Sequence, residues 1–260
     1  MNLPYFQVDA FTQRLFSGNP AGVCPLETWL PDSVLQSIAL ENGLSETAFF
    51  IRNGSRFPLR WFTPSVEVDL CGHATLAAAH VLFRHLGHPG PRAEFETRSG
   101  LLTVDLDEEC LTLNFPARPG IECAPPADLV RGLGVRPQAT FKSRDYMAVL
   151  DSEETVRNLQ PDLEILRQVD CLGIIATAPG DSCDFVSRFF APRAGVPEDP
   201  VTGSAHCTLI PYWADRLQRK RLRALQVSRR GGELFCEQQG ERVRIGGRAV
   251  TYSTGTLSLS

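Results

Sequence analysis

One motif occurs twice along this chain. Residues 60–64 read Arg-Trp-Phe-Thr-Pro, residues 188–192 read Arg-Phe-Phe-Ala-Pro, and the two prolines are 128 positions apart (192 − 64). A Gly-x-Ala sequence follows each copy, at residues 72–74 and 203–205, and a largely apolar run comes next. Because these features keep the same order in both copies, we predict an internal duplication that produces two related α/β halves.

Each half is predicted to contain a buried central helix. Residues 74–83 are almost all apolar, and a helix that is apolar on every side must be enclosed by the rest of the fold. The second run, residues 207–217, contains Pro211, which is unfavourable inside a helix, and we expect a kink there. Four prolines in residues 116–126 indicate a linker. We therefore predict domains at residues 1–116 and 117–260, and leave open a return of the final strand to the first domain.

The remaining periodicity is that of a mixed α/β chain. Pro31-Asp32 opens a predicted helix that Gly43 closes, and the glycines and proline of residues 18–22 predict a loop. Alternating or branched apolar residues predict strands at residues 3–11, 44–51, 57–61, 101–106 and 111–115.

Composition excludes several classes of protein. The chain has 260 residues with 30 acidic and 26 basic side chains, a net charge of −4, which gives no basic field for nucleic acid. No stretch of 18 residues is free of charge, so we expect no membrane span. The N-terminus lacks the pattern of an export signal, and the eight cysteines are scattered without a Cys-x-x-Cys pair. We therefore expect a soluble cytoplasmic protein with reduced thiols.

Glu46 is the first candidate for chemistry. It lies in Leu-Ser-Glu-Thr-Ala-Phe-Phe, a carboxylate in otherwise apolar or small polar surroundings. A desolvated carboxyl group can carry a proton near neutral pH. The alternative interpretation is an exposed glutamate at the end of a strand.

Asp199, Gly203 and Ser204 lie just before and at the start of the second apolar run. Helix N-termini attract anions, so these residues could hold a carboxylate substrate. The alternative is structural, because an aspartate before a proline favours a turn or a helix cap, and Ser204 could cap the same helix.

Cys71 and His73 flank Gly72 at the start of the first apolar run. The helix dipole would lower the pKa of a thiol there and make it an acid or base, whereas an inert buried cysteine and a core histidine are the structural alternatives. The pairs Cys71-x-His73 and His206-Cys207 lack the spacing of common zinc sites, so no metal is predicted. Nucleotide-binding and hydrolase motifs are also missing, and no cofactor is predicted.

The ordered set of motifs resembles the PhzF family of phenazine-biosynthesis-like isomerases. They are, in order, Asp-Ala-Phe-Thr at 9–12, Phe-x-Gly-Asn-Pro-Ala at 16–21, Ser-Glu-Thr-Ala-Phe at 45–49, the repeated motif, Cys-Gly-His-Ala-Thr at 71–75 and Glu-Asp-Pro-Val-Thr-Gly-Ser-Ala-His at 198–206. The resemblance implies a diaminopimelate-epimerase-like fold, in which two similar domains each wrap a curved sheet around a central helix and enclose the active site between them. It also implies a cofactor-free homodimer that moves a proton on a small carboxylate-bearing substrate.

The resemblance assigns roles to particular positions. The proton carrier of the family matches Glu46, its substrate-binding residues match His73, Asp199, Gly203 and Ser204, and the backbone N–H of Gly72 faces the same substrate. A physical argument agrees with these roles, because two helix N-termini would stabilise the negative charge that proton abstraction creates.

One departure from related enzymes leaves alternatives open. Epimerases and racemases of this fold use a cysteine at each helix start, whereas this chain has Cys71 at the first and Thr202 at the second. A symmetric two-thiol racemase is therefore disfavoured. A thiol-dependent epimerase or dehydratase of a hydroxy amino acid, which would use Cys71, stays open as an alternative. A non-catalytic small-molecule-binding protein on the same scaffold is the second alternative.

Overall fold

The computed structural model describes residues 1–52 and 55–259, and the chain divides into two units. Unit 1 contains residues 1–114 and the C-terminal segment from Gly246, and unit 2 contains residues 115–245. The division lies two residues before the predicted one at 116/117, and the final strand belongs to unit 1. No helix in the described part of the chain is long and apolar enough to cross a membrane.

Helices and strands alternate along the chain, as the α/β prediction requires. In chain order they are β1 (Asn2–Ala10), β2 (Asn19–Leu26), α1 (Asp32–Asn42), β3 (Glu46–Ile51), β4 (Arg56–Phe62), β5 (Glu67–Val68), α2 (Gly72–Arg84), β6 (Arg92–Thr97), β7 (Gly100–Asp107), β8 (Cys110–Pro116), β9 (Ile121–Glu122), α3 (Ala127–Leu133), β10 (Ala139–Lys142), β11 (Tyr146–Val149), α4 (Glu153–Asn158), α5 (Leu163–Leu166), β12 (Ile174–Pro179), β13 (Phe185–Ala191), β14 (Val196–Asp199), α6 (Gly203–Leu217), β15 (Arg221–Gln226), β16 (Gly232–Gln239), β17 (Arg242–Gly247) and β18 (Ala249–Ser258).

The two units repeat the same order of strand pairings. In unit 1, β1 is antiparallel to β2, β2 is parallel to β3, β3 is antiparallel to β4, and β4 is antiparallel to β5 and parallel to β6. In unit 2, strands β10 to β15 pair in that same sequence of directions. The predicted internal duplication is confirmed by this repeated topology.

The arginine of the repeated motif makes the same contact in each unit. Arg60 donates from Nε and Nη2 to Glu67 at 2.7 and 2.8 Å, and Arg188 donates from the same atoms to Glu198 at 2.8 and 3.0 Å. Each guanidinium carbon also lies over the aromatic ring two residues further along its own strand, at 5.0 and 4.9 Å from the ring centroid. These bidentate pairs fix β5 and β14, the short strands that precede α2 and α6.

Helix α2 is the enclosed helix that the sequence predicts. Every residue from Gly72 to Leu82 is buried, and the helix contacts β1, β2 and β3. Small alanine side chains at residues 77–79 let these strands approach the helix closely, and burial of the apolar side chains around it stabilises the unit.

Helix α6 runs from Gly203 to Leu217 and includes Pro211 as an internal residue. Pro211 has no N–H to give to the carbonyl of Cys207 one turn earlier. The backbone N–H of Arg118 donates to that carbonyl instead, at 2.8 Å. Arg118 lies in the predicted linker, and β9 of the same segment pairs with β10. The proline-rich segment is therefore an ordered part of unit 2.

The predicted loop at residues 18–22 is wrong beyond Gly18. Asn19 pairs with Ala10 at the start of β2, and the strand runs on to Leu26. Gly18 alone makes the turn, with a φ of +67°, and an added Cβ atom there would collide with the carbonyl of Ala10. The helix predicted between Pro31 and Gly43 is confirmed as α1.

Candidate active site

Unit 1 brings three of the predicted residues together at the start of α2. Glu46 is the first residue of β3, and Cys71 and His73 stand on either side of Gly72, the first residue of the helix. Because α2 packs against β3, one carboxylate oxygen, the thiol sulfur and one imidazole nitrogen all lie within 4.8 Å of one another. Glu46 and Cys71 are 25 positions apart in the sequence, and the packing of α2 against β3 brings their side chains together.

Glu46 and His73 form a buried pair that lacks a hydrogen bond. His73 Nε2 lies 3.2 Å from Glu46 Oε2, within ion-pair distance, and the side chains are 5% and 19% exposed. The alignment does not make a hydrogen bond, and neither atom has another hydrogen-bond partner in the described residues. A buried polar pair left in this state offers both atoms to a bound polar group.

The other ring nitrogen of His73 is held by two neighbours. Asn19 Nδ2 lies 3.2 Å from Nδ1, and Cys71 Sγ lies 3.5 Å from the same atom. An amide presents a donor and, after rotation, an acceptor, so Asn19 can serve the ring in either protonation state. Asn19 belongs to one of the motifs that carry the family resemblance, but no role was predicted for it from the sequence.

The pKa values of the two groups beside Glu46 follow from their burial and their charged neighbours. Burial raises the pKa of the Cys71 thiol and the charge of Glu46 raises it further, which agrees with the buried, inert cysteine and not with a pKa lowered by the helix dipole. Burial by itself would lower the pKa of His73. The Cys71 sulfur and the Glu46 carboxylate more than offset burial, and the pKa of His73 is raised well above its usual value. Negative charge on either neighbour therefore favours the cationic form of the imidazole at this centre.

Gly72 adds a further positive element. As the first residue of α2 it contributes one of the N–H groups that have no partner within a helix, at the positive end of the helix dipole. Thr75 holds the turn in place, because its hydroxyl donates to the Cys71 carbonyl at 2.5 Å. The start of α2 therefore combines a carboxylate base with an imidazole and backbone donors.

Unit 2 places Asp199, Gly203 and Ser204 together at the start of α6. Thr202 precedes the helix, and its hydroxyl donates to Asp199 Oδ2 at 2.6 Å. Ser204 does not cap the helix, contrary to one interpretation of the sequence. Its Oγ instead accepts a hydrogen bond from Arg144 Nη2 at 3.0 Å.

Gln226 holds this turn and was missed by the sequence interpretation. Its side chain is 1% exposed at the end of β15. Its Oε1 accepts from the Thr202 N–H at 2.8 Å, and its Nε2 donates to the Asp199 carbonyl at 2.7 Å and to Thr202 Oγ1 at 3.1 Å. A glutamine at the end of a strand carries no sequence signal for such a role, because its partners lie 24 and 27 positions away.

His206 is a structural histidine. It is fully buried, and its Nδ1 donates to the Thr202 carbonyl at 2.9 Å. Burial lowers its pKa to about 4, so the ring is neutral at neutral pH. The neutral, buried His206 therefore differs from His73, whose pKa is raised.

Comparisons with known proteins give one consistent result. The family model described as phenazine biosynthesis-like protein, PhzC-PhzF, matches residues 8–255. An uncharacterized isomerase of Pseudomonas aeruginosa is 54% identical over the whole of both chains. The crystal structure of a PhzF family protein of Enterococcus faecalis superposes with a TM-score of 0.98 at 47% identity, covering 100% of both chains.

A more distant likeness concerns the fold alone. A probable proline racemase of Agrobacterium radiobacter aligns with a TM-score of 0.66 at 10% identity, over 99% of this chain and 93% of that one. The diaminopimelate-epimerase-like fold expected from the sequence is thereby confirmed. Together with relatives named as isomerases, these matches show that the chain is an isomerase that belongs to the PhzC-PhzF family of phenazine biosynthesis-like proteins.

Proposed function

We propose that this isomerase moves a proton on a small carboxylate-bearing metabolite, without a cofactor, and that Glu46 carries the proton. The observation that supports the proposal most strongly is the Glu46–His73 pair, with 3.2 Å between two buried atoms that lack hydrogen-bond partners. Such a pair is arranged to engage a substrate group rather than to stabilise the fold.

The chemistry follows from the charges at this centre. Glu46 Oε2 takes a proton from a substrate carbon, so that a C–H bond breaks, an O–H bond forms and the electron pair stays in the substrate. The cationic imidazole of His73 and the N–H of Gly72 stabilise the resulting negative charge. The same carboxyl group then returns the proton to another carbon, and the carboxylate is regenerated.

The residues of unit 2 are proposed to bind the substrate. Gly203 and Ser204 supply the N-terminal donors of α6, and Asp199 supplies an acceptor for a polar substituent. Their family resemblance and their hydrogen-bonded turn support this role. The resemblance also supports a homodimer and a cytoplasmic location. Sedimentation of the purified protein would test the dimer.

Solvent deuterium incorporation tests the proposal directly. Purified protein is incubated in D2O with a panel of small unsaturated carboxylates and amino acids, and label is read by mass spectrometry. Glu46→Gln should abolish incorporation while the melting temperature stays close to wild type. Glu27→Gln, a matched change at an exposed position of unit 1, should leave it unchanged. Full incorporation by Glu46→Gln would refute the role of Glu46.

A thiol mechanism through Cys71 is the second candidate. The 3.5 Å contact between Cys71 Sγ and His73 Nδ1 favours it, whereas the raised pKa of the thiol opposes it. Loss of incorporation in Cys71→Ala, with incorporation retained in Glu46→Gln, would support the thiol mechanism. Tight metabolite binding with no exchange in any sample would support a binding protein instead.

A further inference from the structure

We propose that Glu46, Cys71 and His73 also form a binding site for one zinc-type divalent cation, whose occupancy inhibits the isomerase. The ion is an inhibitor here and has no part in turnover. Only the inhibition rests on the proposed function, because the binding itself follows from the three side chains. No metal was predicted from the sequence, because the pairs Cys71-x-His73 and His206-Cys207 lack the spacing of common zinc sites and Glu46 lies 25 positions before Cys71.

The ligand set and its spacing fit such an ion. Thiolate, imidazole and carboxylate are the side chains that bind zinc, with bonds of about 2.3 Å to sulfur and about 2.0 Å to nitrogen or oxygen. Two ligands of one tetrahedral ion are then roughly 3.3–3.5 Å apart. The Glu46 Oε2 and His73 Nε2 atoms are 3.2 Å apart, and the Cys71 sulfur belongs to the same group within 4.8 Å. The sulfur itself lies 3.5 Å from Nδ1, the other ring nitrogen, so the cysteine side chain must rotate toward Glu46 Oε2 and His73 Nε2 before all three groups bind one ion.

The Glu46–His73 contact is the second observation that points to a ligand. His73 Nε2 and Glu46 Oε2 lie 3.2 Å apart without the alignment of a hydrogen bond, and neither atom has another hydrogen-bond partner in the described residues. A cation would satisfy both atoms at once. Asn19 supports the ring from the opposite nitrogen, as residues around metal-binding histidines commonly do.

Binding is coupled to protons and involves no electron transfer. The Cys71 thiol releases its proton to the solvent when its sulfur binds the ion, and a cationic His73 releases one as well. We therefore expect the affinity to rise with pH. The bound ion occupies the oxygen of Glu46 that would take the substrate proton, which explains the expected inhibition.

Cobalt provides a spectroscopic test that requires no substrate. Metal-free wild-type protein is titrated with Co2+ and followed through the sulfur-to-cobalt charge-transfer band in the near ultraviolet. We expect a band that saturates at one ion per chain, vanishes in Cys71→Ser and persists in Cys171→Ser, a partly buried thiol of unit 2. Competition with a chromophoric chelator should show Zn2+ affinity at least about 100-fold weaker in Cys71→Ser.

Two outcomes would overturn the proposal: no thiolate band in the wild-type protein, or a band that survives in Cys71→Ser. If Cys71→Ser fails to fold, Glu46→Gln serves instead, and it should weaken Zn2+ binding at least about tenfold while the thiolate band remains. Failure of the site and failure of the proposed function are distinguishable. If Glu46→Gln loses deuterium incorporation and the wild-type protein shows no cobalt band, the proposed metal site is refuted and the proposed isomerase mechanism is supported.

Discussion

The starts of α2 and α6 occupy equivalent positions in the repeated topology, yet their polar groups are arranged differently. At α2, Glu46 and His73 face each other with buried atoms that lack partners. At α6, the turn from Asp199 to Thr202 is fixed by Gln226 through three hydrogen bonds. The two helix starts have equivalent backbone positions in the repeated topology. The start of α2 carries a titratable pair of side chains, whereas the start of α6 carries a turn that is fixed by hydrogen bonds.

The largest expected effect is the difference in deuterium incorporation between variants of the two buried histidines. His73→Gln should reduce deuterium incorporation by about 10²–10⁴-fold, because it removes the cation beside the carboxylate. His206→Gln should leave incorporation within a fewfold of wild type, since that ring contacts the Thr202 carbonyl and the Phe185 ring. Equal losses of incorporation in the two variants would contradict the different roles assigned to His73 and His206.

The pH dependence of stability should differ in sign between these histidines. The pKa of His206 is about 4 in the folded protein, below its usual value of 6.5, so the unfolded chain binds the proton first on acidification. The free energy of unfolding should therefore fall by up to ~3 kcal/mol between pH 6.5 and 4, and His206→Gln should flatten that slope.

His73 should act in the opposite direction. Its folded pKa is raised, so its contribution is present below pH 6.5 and is lost as pH rises through the folded pKa. His73→Gln should therefore lessen the fall in stability above pH 6.5. Urea denaturation from pH 4 to 9 measures both slopes, and the same sign for both histidines would contradict this assignment.

A third prediction concerns the turn of unit 2. Gln226→Leu leaves the Thr202 N–H and the Asp199 carbonyl without their partner, at a cost of about 1–3 kcal/mol in the free energy of unfolding. Gln239→Leu, at an exposed position of β16, is the matched control and should cost less than about 0.5 kcal/mol. Denaturant titration measures both. If Gln226→Leu is as stable as the control, the turn does not depend on this side chain.

The smallest expected effect concerns the repeated arginines. Arg60→Lys and Arg188→Lys each replace a bidentate contact with a single one, and we expect a loss of about 1 kcal/mol in either unit. Similar losses would support an equivalent structural role for the two copies. A loss confined to one variant, measured by denaturant titration, would show that the repeat has diverged here as well.

Local pattern was enough to predict the duplication and the enclosed helix α2, because apolar periodicity and motif order are properties of the sequence itself. Glu46 and His73 were identified through the family resemblance, and the structure places them side by side. Asn19, Arg144 and Gln226 escaped prediction, since their roles depend on partners from distant strands. For Cys71 the helix dipole and burial act on the pKa in opposite directions, and the sequence left both interpretations open because it does not show how deeply the thiol is buried.

The enclosure of α2 by its own sheet restricts how this family can evolve new specificity. A helix with no solvent-facing side has no position where a substrate-contacting residue could be exchanged without disturbing the core. Residues that distinguish one metabolite from another are therefore expected in the loops and strand ends around the helix tip, and not on the enclosed turns of the helix. Laboratory efforts to change the substrate should accordingly leave residues 74–82 untouched and diversify the segments that lead up to them.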